Sequence, residues 1–350
     1  MEKMMKTVKK ISEVKGICHN LHFVRFLAAI CVIISHSFAI SEGSLEREWM
    51  VKITNNQITL GSFAVCILFF FSGMMTVRSL LKGKTTKEFF WGRFVRIWPA
   101  LVTVVMLSVF MLGPMMTKYT CREYFCAAQT YKYFGNVILF LQHDLPGVFT
   151  NNVYLPTVNG SLWTLPVEVG CYVVCFFAYK MTLLREKRFY LTVPIALVGL
   201  GSLFVLSELT GNDLIKSTIL PLGMFYMGMF YEENKGKIKL TGKYALVSLA
   251  GCVLFGILGE LWIGMLLCFP YFLCFMVFGL EKAVPVPWRL GELSYAMYLC
   301  GFPIQQMVTQ LFGGKMNVIV NMMISIPIII GISFMIYILV EKPILNSRRK

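Results

Sequence analysis

Long apolar runs recur along this chain, and they constrain its fold more than any other feature. An α-helix needs roughly 20 apolar residues to cross a bilayer. Ten runs come close to this length: 21–41, 58–80, 97–115, 161–180, 190–209, 217–231, 241–258, 261–280, 290–312 and 318–340. The composition agrees, with 57% hydrophobic and only 15% charged residues. The sequence therefore predicts an all-α integral membrane bundle of about ten transmembrane helices.

A shorter apolar piece, Tyr133 to Leu141, lies between two loops. It is too short to cross the hydrocarbon core, so we predict a reentrant or interfacial helix. No internal repeat and no soluble appendage is visible in the sequence. We therefore expect a single membrane domain over residues 1–350, with a basic segment at 1–20 and a basic tail at 341–350.

Basic residues are distributed unevenly between the two predicted sides of the membrane. The segments on the side of the N-terminus hold 24 Lys and Arg residues, whereas the opposite loops hold 7. Because cytoplasmic loops carry an excess of Lys and Arg, both termini are predicted to be cytoplasmic. The formal net charge of +15 is thus explained by topology and does not indicate nucleic-acid binding. The first apolar run lacks an Ala-x-Ala type cleavage site, which predicts a retained signal anchor.

The first predicted span contains FVRFLAAICVIISHSFAI, which is apolar but carries Arg25 and His36. Their spacing of 11 residues is close to three helical turns, so both are predicted on one helix face, roughly 16 Å apart along the axis. The two residues can be explained without a function, because Arg25 can snorkel to the headgroups and His36 can hydrogen-bond at the interface. The functional reading is a polar path through the bundle.

Two further polar features interrupt apolar segments. Arg93 and Arg96 in WGRFVRIWPAL are one turn apart, so they can either converge on one phosphate-bearing ligand or simply mark the cytoplasmic side. Glu168 in NGSLWTLPVEVGCY is predicted at a depth similar to that of His36. A carboxylate there is costly without a partner, so it is either functional or a structural hydrogen-bonding group near a helix break at Pro166.

Six segments, in this order, resemble the acyltransferase-3 family, which comprises multi-pass bacterial membrane proteins that O-acylate surface carbohydrates. The segments are NLHFVRFLAAICVIISHSF, FFFSGMMTVRSL, GRFVRIWP, NGSLWTLPVEVGCY, LGELSYAMYLCGFPIQ and VEKPI. The chain departs from the family pattern at two positions. His22 stands where an acid is common, and Gly301 stands where a histidine is common. Many relatives also carry a soluble esterase-like domain, which is not expected here.

The resemblance implies an acyl donor from the cytoplasm, most simply acetyl-coenzyme A, and a carbohydrate hydroxyl as acceptor. The acceptor hydroxyl would lie outside the cytoplasm or on a lipid-linked intermediate. The protein itself would be located in the bacterial cytoplasmic membrane. Guanidinium groups suit phosphates, so Arg93 and Arg96, together with Arg25, are the candidates for holding the donor. No permanently bound cofactor is expected.

His36 is the candidate for the chemical step, because imidazole can take the acceptor's proton or carry the acyl group near neutral pH. Glu168 would orient this imidazole and stabilise its cationic form, as the acid does in hydrolase triads. Flat walls for the sugar or the pantetheine arm are predicted from Trp163, Tyr172, Tyr295 and Tyr298.

A transporter or flippase for a glycan-lipid is the main alternative. Such proteins also hold buried charges and have helices broken at positions such as Pro166 and Pro303, but they usually show internal repeats. A third alternative is a structural or sensory membrane subunit, but such a function would not explain why the motifs occur in this order. The four histidines show no HxxxH or HExxH spacing, so no metal is predicted. The sequence leaves open the acceptor, the length of the acyl group and the oligomeric state.

Overall fold

The structure is a computed structural model, and it describes residues 9–11, 19–184, 186–280 and 288–347. Most of the predicted basic segment at 1–20 lies outside the described residues, as do the last three residues of the basic tail at 341–350.

Helices make up nearly all the regular structure in the described residues. They are α1 His19–Glu42, α2 Trp49–Ile53, α3 Leu60–Leu81, α4 Thr86–Leu107, α5 Gly113–Met116, α6 Cys121–Cys126, α7 Ala128–Lys132, α8 Thr164–Lys180, α9 Glu186–Phe189, α10 Thr192–Thr210, α11 Asp213–Glu233, α12 Gly242–Ile257, α13 Leu261–Leu267, α14 Phe269–Cys274, α15 Trp288–Glu292, α16 Ser294–Leu311, α17 Val318–Ile336 and α18 Lys342–Ser347. Two short strands, β1 Lys9–Lys10 and β2 Lys239–Leu240, pair antiparallel.

Short segments of π- and 3₁₀-helix extend several of these helices. The π segments are Ser108–Leu112, Phe275–Gly279 and Tyr337–Glu341, and the 3₁₀ segments are Tyr133–Ile138 and Gly160–Trp163. Several long helices begin where polar side chains accept hydrogen bonds from otherwise unpaired backbone N–H groups. These caps are Thr59, Asn212, Thr241 and Asn317.

Among the described residues, six helical stretches are long and apolar enough to cross a membrane. They are Asn20–Glu42, Leu60–Leu81, Thr86–Met116, Gly160–Lys180, Thr192–Thr210 and Val318–Asn346. The pair Leu261–Leu267 and Phe269–Gly279 counts as a seventh if it is one bent span. The remaining predicted spans correspond to α11, α12 and α16, which are helical but do not meet this test. An all-α membrane protein is confirmed, whereas the number of ten spans stays a prediction.

The prolines in predicted spans do not act as the sequence suggested. The segment 261–280 was expected as one span, but it bends by 46° between α13 and α14. Pro270 lies at this bend, where its missing N–H and its ring disfavour a continuous helix. Helix breaks were expected at Pro166 and Pro303, but the helices that contain these residues are not broken there. Pro166 lies in the first turn of α8, where no N–H is needed, and Pro303 lies inside the continuous α16.

The short apolar piece between Tyr133 and Leu141 begins with the 3₁₀ segment Tyr133–Ile138. The indole Nε1 of Trp98 on α4 donates a hydrogen bond of 2.9 Å to the carbonyl oxygen of Val137. This contact fixes the piece against α4. Whether it enters the membrane stays a prediction.

The chain forms two compact units made of interleaved segments. Unit 1 comprises Met1–Ala28, Met50–Thr85 and Val167–Gly291, and unit 2 comprises Ala29–Trp49, Thr86–Pro166 and Glu292–Lys350. One boundary falls within α1 and another within α8, so each of these helices contributes to both units.

Two glycines allow α3 and α11 to touch backbone to backbone in unit 1. A Cβ atom at Gly228 would lie 1.9 Å from the carbonyl oxygen of Phe70, and one at Gly73 would lie 2.1 Å from that of Phe225. Such distances exclude any side chain unless the helices move apart. Small residues at helix crossings are typical of membrane bundles, because close packing replaces the hydrophobic effect as the driving force.

A buried ion cluster joins the same two helices near the C-terminal end of α3. The Nε and Nη2 atoms of Arg78 donate to the Glu232 carboxylate at 2.7–3.1 Å, and Lys235 Nζ donates to Glu232 Oε1 at 2.6 Å. The Glu232 side chain is fully buried. A buried carboxylate is stable only when it is paired in this way. The cluster therefore fixes the pairing of α3 with α11.

Gly228→Ala should destabilise the protein by roughly 1–3 kcal/mol, the usual cost of overpacking, because the new methyl group meets the Phe70 carbonyl. Gly199→Ala on α10 is the control, since a Cβ there meets nothing within 4 Å. Thermal unfolding of the purified proteins in one detergent measures the difference. Equal unfolding temperatures for Gly228→Ala and the unsubstituted chain would contradict the close helix contact.

Candidate active site

The carboxylate of Glu168 is held by two hydroxyl groups in unit 1. Ser72 Oγ donates a hydrogen bond of 2.6 Å to Glu168 Oε1, and the phenol of Tyr172 donates to the same oxygen. The two hydroxyl oxygens are themselves 3.0 Å apart. Ser72 and Tyr172 are buried, whereas Glu168 is half-buried. In the described part of the chain, these hydrogen bonds all converge on Oε1, so Oε2 is the oxygen available for another group.

The local sequence explains how this cluster is assembled. Tyr172 follows Glu168 by four residues on α8, so the two side chains lie on one face of that helix. Ser72 comes from α3 and directly precedes Gly73. Consecutive helix residues point about 100° apart, so Gly73 can face α11 while Ser72 reaches Glu168.

His36 lies on α1, in the part of that helix that belongs to unit 2, and it is half-buried. Its ring contacts Phe302 of α16 edge to face, with ring centroids 5.1 Å apart and an interplanar angle of 76°. Phe302 is buried, and the backbone of Gly160 also lies against it, where a Cβ would be 2.7 Å from the Phe302 ring. The Phe302 ring is therefore fixed, and it supports one edge of the imidazole.

A buried amide joins α1 to α16 next to His36. Gln305 Nε2 donates to the carbonyl oxygen of Ile33 at 2.8 Å and to Ser37 Oγ at 2.5 Å. The Gln305 side chain is fully buried. Because these bonds reach α1 on both sides of His36 in the sequence, they fix the stretch of helix from which the imidazole projects.

The two departures from the family pattern occupy packing positions. A Cβ at Gly301 would lie 3.0 Å from Cγ1 of Ile33 on α1. A histidine at this position therefore requires Ile33 to move. A Cβ at Gly291 would lie 2.3 Å from Cβ of His22, so α15 and the start of α1 are packed closely in unit 1. Position 301 thus contributes to helix packing in this chain.

The predicted donor-binding arginines differ in burial. Arg93 is buried on α4, with its guanidinium group 5.4 Å from the centroid of the Phe89 ring one turn earlier. Arg96 is half-buried on the same helix, one turn further along. Arg25 is half-buried on α1, in unit 1. A cation that served only as a marker of the cytoplasmic side would have no need of burial, so the position of Arg93 favours a specific role.

Of the four aromatic residues predicted to contact substrate, three form hydrogen bonds within the protein through their hydroxyl groups. Tyr298 is buried, and its hydroxyl lies 2.7 Å from Thr164 Oγ1 and donates to the Ser161 carbonyl at 2.9 Å. The Tyr295 hydroxyl donates to the Ile97 carbonyl at 3.0 Å. The phenol of Tyr172 is bonded to Glu168, as described above, and Trp163 is half-buried at the end of a 3₁₀ turn. Their contact with substrate stays a prediction.

Sequence reasoning did not assign roles to several residues of these clusters. Ser72 lies in FFFSGMMTVRSL, and Phe302 and Gln305 lie in LGELSYAMYLCGFPIQ, but neither segment indicates a role for them. Glu232 could have been found, because it closes a predicted span and Arg78 lies inside another. Within the described ranges, no group of three or more His, Cys, Asp or Glu side chains is arranged to hold a metal ion.

Comparison with known proteins identifies the family. The family model described as an acyltransferase domain, Acyl_transf_3, matches residues 19–339. The chain is 27% identical over 336 residues to an O-acetyl transferase of Shigella phage Sf6. The matched region covers 92% of this chain and 94% of that protein. No solved structure matches the chain significantly. The chain therefore belongs to the acyltransferase-3 family and is a membrane acyltransferase.

Proposed function

We propose that the protein transfers an acyl group, most simply acetyl, from cytoplasmic acyl-coenzyme A to a hydroxyl group of a cell-surface carbohydrate. The acceptor is extracytoplasmic or lipid-linked. The family and the phage relative named as an O-acetyl transferase support the reaction class. The donor, the acceptor and the residue roles are the proposal.

The arrangement at Glu168 is the observation on which the proposal depends. A carboxylate in an apolar helix is expensive, and such groups usually serve a function. Here one oxygen is fixed by Ser72 and Tyr172, whereas the other has no hydrogen bond within the described residues. A purely structural carboxylate would gain by using both oxygens. The geometry thus favours a carboxylate that is oriented in advance for a further partner.

His36 is the proposed base. It accepts the proton of the acceptor hydroxyl as that oxygen attacks the thioester carbonyl carbon. The carbon–sulfur bond then breaks, the coenzyme A thiolate leaves, and the proton passes to it, giving the ester and free coenzyme A. A transient acyl-imidazole at His36 is the covalent version of the same reaction. Glu168 is proposed to support the imidazolium form of His36, as an acid does in hydrolase triads.

The proposed donor site uses Arg93 and Arg96, with Arg25 as a third cation. Guanidinium groups one turn apart on α4 can share the phosphates of coenzyme A through paired hydrogen bonds. The partial burial of these cations supports this role. Coenzyme A also has an extended pantetheine arm, which suits a phosphate site and a reactive centre at different depths.

His36→Ala should abolish glycan-stimulated release of coenzyme A from acetyl-coenzyme A without loss of membrane insertion, because the base is removed. The measurement uses purified protein in nanodiscs, with and without extracted cell-surface glycans. His143→Ala is the matched control, since His143 is an exposed loop residue. Full glycan-stimulated turnover in His36→Ala would contradict the proposal, and movement of a glycan-lipid without coenzyme A release would indicate transport.

Ser72→Ala and Tyr172→Phe should each lower kcat about tenfold, because each removes one donor that orients Glu168, worth roughly 1.4 kcal/mol in the transition state. The double variant should lose little more than either single one, since both donors act on the same oxygen. Ser202→Ala is the control for a serine that is exposed on α10. Unchanged kcat in both single variants would exclude this positioning role.

Arg96→Gln should raise the donor KM about tenfold and leave the acceptor KM unchanged, because a charged hydrogen bond to phosphate is lost. Arg122→Gln removes an exposed arginine from α6 and serves as the control. Initial rates at varied acetyl-coenzyme A concentration give the constants. An unchanged donor KM in Arg96→Gln would show that this arginine only marks topology.

A further inference from the structure

The loop between the 3₁₀ turn at Tyr133–Ile138 and the one at Gly160–Trp163 is attached to α16 by a buried amide. Gln306 Nε2 donates to the carbonyl oxygens of Leu155 and Thr157, both at 3.0 Å, and Gln306 Oε1 accepts from Asn152 Nδ2 at 2.7 Å. The Gln306 side chain is fully buried. All of these residues belong to unit 2. One glutamine therefore sets the path of the chain on both sides of Tyr154.

Further contacts hold the two ends of the same loop. Phe149 N donates to Gln310 Oε1 at 3.1 Å, one turn beyond Gln306 on α16. Asn159 Nδ2 donates to the Leu299 carbonyl at 2.8 Å, near the start of that helix. The loop is thus fixed along three turns of α16. A loop that only connected two helices would have no need of this many buried amides.

Tyr154, at the centre of the loop, is linked to the proposed base through one aromatic ring. Its ring packs against Phe302 with centroids 5.9 Å apart and an interplanar angle of 66°, and Phe302 in turn contacts His36. Tyr154 is half-buried, and its hydroxyl makes no hydrogen bond within the described residues. Partial burial raises the pKa of this phenol, so it remains a neutral donor at neutral pH. An aromatic face with a polar end suits a sugar ring.

Three buried polar atoms, on the loop, on the 3₁₀ segment after it and on α16, also lack hydrogen-bond partners among the described residues. They are Asn152 Oδ1, Ser161 Oγ and Gln305 Oε1. Such atoms are uncommon in folded proteins because each costs free energy. These atoms are enclosed by protein, so they are not by themselves a sugar site. The half-buried Tyr154 offers the more accessible polar group next to Phe302.

We propose that Tyr154, held in place by Gln306, is a sugar-binding residue that positions the acceptor carbohydrate beside His36. The inference rests on the proposed function, and it assigns the acceptor side of that reaction to the loop segment from Phe149 to Asn159. Tyr154 lies outside all six sequence segments that resemble the family. Differences in this loop would accordingly determine which carbohydrate is acylated.

Direct binding tests the inference without requiring acyl transfer. The probe is a fluorescently labelled, O-deacetylated oligosaccharide fraction from the surface glycans of the source cells, and its binding to the full chain in nanodiscs is measured. Tyr154→Ala should weaken binding about tenfold. Tyr154→Phe should have a smaller effect, because it keeps the ring and loses only the hydroxyl. Tyr131→Ala removes an exposed tyrosine from α7 and should bind as the intact chain does.

Kinetics provide the second readout. In Tyr154→Ala the acceptor KM should rise about tenfold, whereas the donor KM should not change, because the donor site is elsewhere. Size-exclusion chromatography and the unfolding temperature establish that the variant is folded. Binding by Tyr154→Ala equal to that of the intact chain, or no binding by the intact chain, would overturn the inference. Oligosaccharide binding without release of coenzyme A would support it and would instead contradict the proposed function.

Discussion

The constraint on which this structure depends is the scarcity of water inside a bilayer. Polar and ionisable side chains in apolar helices need partners from the protein itself, since lipid offers none. Glu232 meets this requirement completely, with Arg78 and Lys235 around a fully buried carboxylate. Glu168 meets it for one oxygen only. Glu232 thus stabilises the fold, whereas Glu168 keeps one oxygen without a hydrogen bond in the described part of the chain.

Helix packing places these groups. Because Gly73 and Gly228 have no side chains, α3 and α11 come into backbone contact, and this contact fixes the rotation of α3. Ser72 is thereby directed to Glu168. In unit 2, Gln305 and Gly301 play the corresponding part for α1 and α16, so that His36 meets Phe302. Both units thus use small residues and buried polar bonds to position one side chain each, Glu168 and His36, for which we propose a role in the reaction.

The sequence predicted the parts of the fold that follow from periodicity and length. Every predicted span contains a helix, and the Arg25–His36 stretch lies on one helix as expected. The effects of the prolines were not predictable from their presence, because Pro166 and Pro303 leave α8 and α16 unbroken, whereas Pro270 lies at a bend between two helices. The positions of ionisable residues inside apolar segments, and then the family motifs, identified Glu168 and His36 as candidates. They did not reveal Ser72 as a hydrogen-bond donor, because a contact between residues 96 positions apart depends on packing.

The account depends on the proposal that His36 and Glu168 serve the same reaction. The most direct measurement is a double-mutant cycle with His36→Ala and Glu168→Gln, using kcat/KM for glycan-stimulated coenzyme A release in nanodiscs. If the two side chains act together, each single variant should lose most of the activity, and the double variant should be no worse than the more impaired single one. Losses that multiply in the double variant would contradict the claim and would show that the two residues act independently.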